Sequence, residues 1–143
     1  MSASTNPQSR SKRVLMVVAS PAISTTLGIP VGFWASELVH AWHEFVEVGY
    51  DIDIASPSGG RVELDALSDP RDASGYSADD ILSLGFLSTP KLAALLDRTR
   101  ALSSLSAVDY DALYVAGGQS PMFTFREDLA LQARIGSFYG AGK

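Results

Sequence analysis

No cysteine occurs among the 143 residues of this chain, so it can form no disulfide, and nothing in it speaks for secretion. No run approaches the ~18 apolar residues of a membrane span. A basic surplus is missing too. Lys and Arg number 11 against 16 Asp and Glu, giving a net charge of −5 and a pI near 4.8. That balance argues against nucleic acid, because phosphate binding needs a positive face. The opening residues MSASTNPQSRSK carry basic side chains but no apolar stretch before a cleavage site. They are not a signal peptide, and residues 1–12 read as a disordered N-terminal tail. These absences leave the cytoplasm as the expected compartment. What the chain does have is 46% hydrophobic residues, enough for the core of one globular domain.

Residues 13–18 are apolar at consecutive positions, which suits a strand covered on both faces, as in a parallel sheet. The Ser-, Thr-, Gly- and Pro-bearing stretch from Ser20 to Gly32 reads as a loop at that strand's carboxyl end. A helix is expected from Phe33 to Val48, with Leu38, Trp42, Phe45 and Val46 on one stripe and His40, His43, Glu44 and Glu47 opposite. Gly49 takes the C′ position that ends it. Tyr50 to Ala55 forms a strand and Ser56–Gly60 a turn, completing a right-handed βαβ unit. The acidic, turn-rich segment from Arg61 to Gly75 reads as a solvated excursion, Asp65 to Asp72 included. Ser77 is placed as the cap of a short helix through Leu84, and Thr89-Pro90 as the start of another that buries Leu92, Leu95 and Leu96. A third strand, Ala112–Ala116, stops at Gly117-Gly118. A last helix from Arg126 to Tyr139 turns Leu131, Ile135 and Phe138 inward. Three strands make a small doubly wound sheet, and a helix running into Gly140-Ala141-Gly142-Lys143 is the normal lead-in to a fourth. The expectation is therefore the N-terminal part of a domain whose remainder is supplied elsewhere.

Candidate chemistry concentrates at two points. Glu37 lies in the first turn of the long helix, where a carboxylate favours the positive helix end. Gly117 and Gly118 end a strand at the edge where open α/β sheets bind ligands, and they let backbone amides come close to a ligand. His40, one turn after Glu37, is placed to line the same cleft. Ser120 comes near the Gly-x-Ser-x-Gly elbow of serine hydrolases but lacks the final glycine, and Pro121 restricts the turn it needs. His43 and Glu47 could begin a zinc site, yet such sites take three or more ligands, so these residues read as a solvated face and no metal is assigned.

Five stretches, in order, resemble the ThiJ/PfpI family of the class I glutamine-amidotransferase-like superfamily. They are Gly32-Phe33-Trp34-Ala35-Ser36-Glu37-Leu38, Gly49-Tyr50 leading to Ala55–Gly60, Leu64-Asp65 with Ser68, Asp109–Ala112, and Gly117-Gly118-Gln119-Ser120-Pro121-Met122. The likeness covers residues 13–143 and is nearest the glyoxalase III and chaperone-like branch. It implies an α/β, flavodoxin-like three-layer sandwich with a parallel sheet. It further implies a glutathione-independent glyoxalase that turns methylglyoxal or glyoxal into the hydroxy acid. Glu37 would be general acid and base, Gly117, Gly118 and Gln119 would serve the oxyanion and substrate with His40 beside them, and no cofactor would be needed. The family's nucleophilic Cys-His follows a Gly-Lys like Gly142-Lys143, so the cysteine is expected outside this segment. Expected partners are a small carbonyl or amide-type substrate, the rest of the domain in the same or a second chain, and a further copy in a homo-oligomer. Alternatives left open are a cysteine hydrolase or amidotransferase-like enzyme acting on amide, isonitrile or peptide bonds, a stress chaperone, and a non-catalytic subunit of a split enzyme.

Overall fold

The computed structural model describes residues 10–143. Most of the expected tail, residues 1–9, lies outside them. Its last residues are fastened: Arg10 reaches Asp111, and Ser11 Oγ donates to the Gly49 carbonyl at 2.7 Å.

A four-stranded parallel sheet organises the chain. Strand β1 (Arg13–Val17) pairs on one side with β4 (Asp51–Ser56) and on the other with β6 (Ala112–Val115). A two-residue strand, β5 (Arg100–Ala101), joins the outer side of β4, giving the order β5-β4-β1-β6. The sheet therefore has one more strand than the sequence suggested, since two residues carry no periodicity. Val14 through Val17 of β1 are buried on both faces, as their continuous apolar run requires.

Two cores result. On one face Val14, Met16 and Ile54 pack with Phe33, Leu38, Phe86 and Leu96 beneath helices α1 (Ala35–Glu47), α2 (Ile81–Ser88) and α3 (Pro90–Asp97). On the other, Leu15, Val17 and Ala55 meet Leu102, Tyr110, Leu131 and Phe138 beneath α5 (Leu129–Gly140). Each fully buried Leu or Phe of this kind contributes about 1.5–3 kcal/mol. No helix among the described residues is long and apolar enough to cross a membrane.

The end of α1 follows its sequence closely. Gly49 adopts φ 80°, its N–H donates to Val46 O at 2.9 Å, and Tyr50 N–H donates to Phe45 O at 2.9 Å. That is a Schellman closure, and the rings of Phe45 and Tyr50 stack across it. Other boundaries differ from the sequence reading. The Ser20–Gly32 loop contains a small antiparallel hairpin of β2 (Ala22–Ile23) and β3 (Pro30–Val31). Helix α2 begins at Ile81, capped by Asp80, whose carboxylate accepts the Ser83 N–H at 3.1 Å; Ser77 instead donates to the Leu67 carbonyl. The stretch after Gly118 forms a short helix, α4 (Ser120–Thr124), and α5 starts at Leu129 behind an Asp128 cap. Three residues expected inside, Val46, Leu95 and Ile135, are 39%, 41% and 42% exposed, because each sits at the margin of its helix's apolar stripe.

Candidate functional site

The loops after β1, β6 and β4 meet at the carboxyl edge of the sheet. The Gly32–Glu37 stretch leads into α1, Gly117–Gln119 follows β6, and Glu63–Ser68 crosses behind them. Phe33 and Leu64 form a parallel bridge, with Phe33 N–H on Glu63 O at 3.1 Å and Asp65 N–H on Phe33 O at 2.8 Å.

Gly117 is held by the start of α1. An α-helix begins with unsatisfied N–H groups, and a side chain at the N-cap with a Glu three residues on ordinarily satisfies them reciprocally. Here the N-cap is Trp34, whose side chain makes no cap hydrogen bond. Gly117 enters the motif instead. Trp34 N–H donates to the Gly117 carbonyl at 3.2 Å, and Gly117 N–H donates to Glu37 Oε2 at 2.6 Å. Glu37 is thus brought to the glycine pair, and it is exposed there rather than shielded. Tyr114, on β6, donates its hydroxyl to the Glu37 backbone carbonyl at 2.7 Å. Burial first, and the neighbouring Glu37 charge second, hold that hydroxyl above the usual tyrosine range, so it stays a protonated donor.

Gly118 has φ 122°, a conformation few L-residues adopt, and a Cβ there would lie 2.5 Å from Trp34 N and 2.7 Å from Phe33 Cα. The chain can pass this close to α1 only as glycine. Because a trans peptide points its C=O and N–H oppositely, the Gly117 carbonyl turned to Trp34 aims the Gly118 N–H the other way. Among the described residues that N–H meets no acceptor. A free amide aimed this way can donate a hydrogen bond to a developing negative charge, and the carboxylate beside it can exchange a proton.

The remaining sequence candidates fall as follows. Gln119 lies in the same loop, with its N–H on Asp65 Oδ2 at 2.6 Å. His40 puts Nε2 2.7 Å from Asp80 Oδ1 and ties α1 to the cap of α2. Burial raises the Asp80 carboxyl, but hydrogen bonds from Ser83 and His40 outweigh it and hold the group below its usual range. Ser120 is buried, donating Oγ to the Ser20 carbonyl at 2.8 Å, so it is a structural tie and not an exposed nucleophile. Among the described residues no three His, Asp or Glu side chains gather closely enough to hold a metal ion. Three clefts among the described residues, of about 450, 260 and 220 Å³, include none of Glu37, His40, Gly117, Gly118 and Gln119 in their linings.

Asp65 corrects the sequence reading. Far from being solvated, it is 2% exposed, and its two carboxylate oxygens accept Gly32 N–H at 2.8 Å and Gln119 N–H at 2.6 Å. Ser68 completes the turn by donating Oγ to Asp65 O at 2.8 Å and accepting Ala35 N–H at 3.0 Å. The signal was faint: an acid directly after the Val62-x-Leu64 alternation, three residues before a serine. Trp34 and Tyr114 were also missed, because one acts through its backbone and the other through a long-range contact.

No protein-family model and no curated protein sequence matches the chain. Solved structures do. Rapid Encystment Protein 24 KDa of Francisella tularensis matches at 25% identity with a TM-score of 0.77, over 91% of this chain and 55% of its own. A crystal structure whose description names no activity matches at 31% identity and a TM-score of 0.68, over 93% and 54%. Glyoxalase III from Candida albicans matches at 23% identity and a TM-score of 0.71, over 92% and 54%, a likeness of fold. The chain spans about half the length of these structures. Over that span it has the parallel α/β, flavodoxin-like architecture of PfpI-like proteins.

Proposed function

We propose that this segment supplies the proton-transfer and oxyanion side of a cysteine-dependent enzyme acting on small carbonyl compounds, with methylglyoxal or glyoxal as substrate and the hydroxy acid as product. The observation that carries the reading is the pairing of Glu37 Oε2 with Gly117 N–H at 2.6 Å beside the unengaged Gly118 N–H. The name of the Candida albicans structure adds support from a shared fold.

In this reading the thiolate comes from polypeptide outside residues 1–143, in the same or a second chain. Sulfur adds to the aldehyde carbon, the C=O π pair moves to oxygen, and the Gly118 N–H steadies that charge before it takes a proton. Glu37 removes the proton from the sulfur-bearing carbon while the neighbouring carbonyl oxygen gains one, giving an enediol. A proton then returns to that neighbouring carbon as the hydroxyl on the sulfur-bearing carbon gives up its own, leaving a 2-hydroxy thioester. Water then cleaves the C–S bond, releasing hydroxy acid and thiol. An exposed carboxylate needs shielding to act this way, and the same polypeptide would provide it. Strand β6 suits such a neighbour. Among the described residues it pairs only with β1, and Val115 at its end is exposed while Val14 to Val17 of β1 are buried.

A second reading has its own support. Helix α2, ILSLGFLS, contains no charged residue, and Ile81, Leu82 and Leu84 are 76%, 42% and 37% exposed. An apolar surface of that kind fits a chaperone-like role. One experiment separates the two: the native gene product, its intact mass measured, is assayed for lactate from methylglyoxal without glutathione and for suppression of client aggregation. Lactate that disappears in Glu37→Gln supports the enzyme. Aggregation suppression that survives Glu37→Gln, with no lactate in the parent, supports the chaperone.

A further inference from the structure

We propose that Asp65 is a positioning residue for the Gly118 N–H, a brace on the two peptide planes that meet at the Gly118 Cα. The inference rests on reading Gly118 N–H as the oxyanion donor, and it deepens that reading by saying what aims it.

A free amide is useful only if its direction is set; the Gly118 N–H lies in the Gly117–Gly118 peptide plane, and the Gly118–Gln119 plane restrains the same residue from its other side. The Gly117–Gly118 plane is held by Trp34 N–H on the Gly117 carbonyl. The Gly118–Gln119 plane is held by Gln119 N–H on Asp65 Oδ2. The other oxygen of Asp65 accepts Gly32 N–H, and the Gly32 carbonyl accepts Ser120 N–H at 2.8 Å. Gly32, Asp65, Gln119 and Ser120 therefore close a ring joining the chain before α1 to the chain after β6. Trp34 lies two residues beyond Gly32, so one carboxylate steadies the supports of both planes.

Energetics favour a role beyond packing. A buried carboxylate costs several kcal/mol unless charge or hydrogen bonds compensate it, and Asp65 has no cation among its partners in the described residues. Backbone dipoles alone hold it. A neutral side chain would avoid that cost, but an amide in its place offers one acceptor oxygen where two N–H groups converge.

The test is solution NMR of the native gene product with Asp65→Asn. Losing one of these hydrogen bonds should speed amide exchange of Gln119 or Gly32 by about tenfold. The decisive readout is Gly118: its backbone order parameter should fall from the rigid range near ~0.85 to below ~0.6, with a changed amide shift. Leu15 and Val17 of β1 should stay protected. An unchanged Gly118 order parameter and shift, with Gln119 or Gly32 exchange accelerated, overturns the proposal. Should Asp65→Asn fail to fold, Ser68→Ala loosens the same turn and should move Gly118 in the same direction by less; no movement overturns it equally. Failure to make lactate would refute the enzyme reading without affecting this outcome. Where lactate is made, Asp65→Asn should lower kcat and leave KM in place.

Discussion

Adjacent glycines in one loop should respond to the same methyl group in opposite ways. At Gly117 a Cβ would press on the Glu37 carboxylate, lying 3.1 Å from its Cδ and 3.2 Å from Oε1. That is the free end of an exposed, flexible side chain, and φ at Gly117 is not positive. Glu37 can swing into water, losing a charge-assisted hydrogen bond worth about 1 kcal/mol at an exposed position. Restricting the unfolded chain returns about 0.4–1 kcal/mol, so Gly117→Ala should fold nearly as well as the parent. At Gly118 the methyl group meets Trp34 N and Phe33 Cα, which belong to the backbone, and φ is 122°. Conformational strain and overlap together should cost about 3–5 kcal/mol. With an unfolding entropy of roughly 0.3 kcal/mol/K for a domain this size, Tm should fall by about 10–15 °C in Gly118→Ala, against a few degrees in Gly117→Ala. Thermal and urea unfolding followed by circular dichroism measure both. Activity, in the proposed reading, should vanish in Gly117→Ala as in Glu37→Gln, although the carboxylate is retained. Equal destabilisation by the two substitutions, or an unmoved Glu37 side chain in Gly117→Ala, would refute the reasoning.

Tyr114→Phe removes the hydroxyl that holds the Glu37 carbonyl but keeps the ring against Phe45; urea unfolding should show a loss of about 1 kcal/mol. Burial, then the hydrogen bond to Asp53, pushes Tyr110 up to about 12 from 10.0. A tyrosine that keeps its proton longer when folded loses stability as pH rises, so unfolding free energy should drop by about 2 kcal/mol between about pH 10 and 12, and this slope should be missing in Tyr110→Phe. Against the pull of burial, hydrogen bonds from Ser83 and His40 hold the Asp80 carboxyl below the usual aspartate range, so its contribution is present above that range and is lost as pH falls further. Asp80→Ala should cost about 1 kcal/mol through the α2 cap, measured at neutral pH, and should flatten that acid slope.

Where one periodicity governed, the residues announced the structure. The unbroken apolar run of β1 meant a strand covered on both faces, and Gly49 marked the end of α1, because burial and positive φ act on neighbours in the chain. Glu37 in the first turn of a helix and Gly117-Gly118 after a strand were both legible as local features. Their meeting was expected only through the family resemblance and not from local pattern, since it depends on which loops share the sheet's carboxyl edge. Asp65 was misread because an acid in a turn-rich stretch is normally wet, and only tertiary contacts from Gly32 and Gln119 make it otherwise. Ser77 was read as the cap by position, whereas the helix starts at Ile81 behind Asp80, where Phe86 and Leu87 can reach the core. Strand β5, two residues long, has no pattern to read and exists because β4 offers an open edge.

At the start of α1 position 34 lends only its main chain: the Gly117 carbonyl takes its N–H, the Glu37 carboxylate takes the Gly117 N–H, and Ser68 Oγ takes the Ala35 N–H. The indole is thereby released from the duty that normally confines this position to small hydroxyl or amide side chains. It stands edge-on to Tyr76 at 6.2 Å. Variation at position 34 can thus retune the surface beside Tyr76 while the helix start, and the acid it carries, remain where they are.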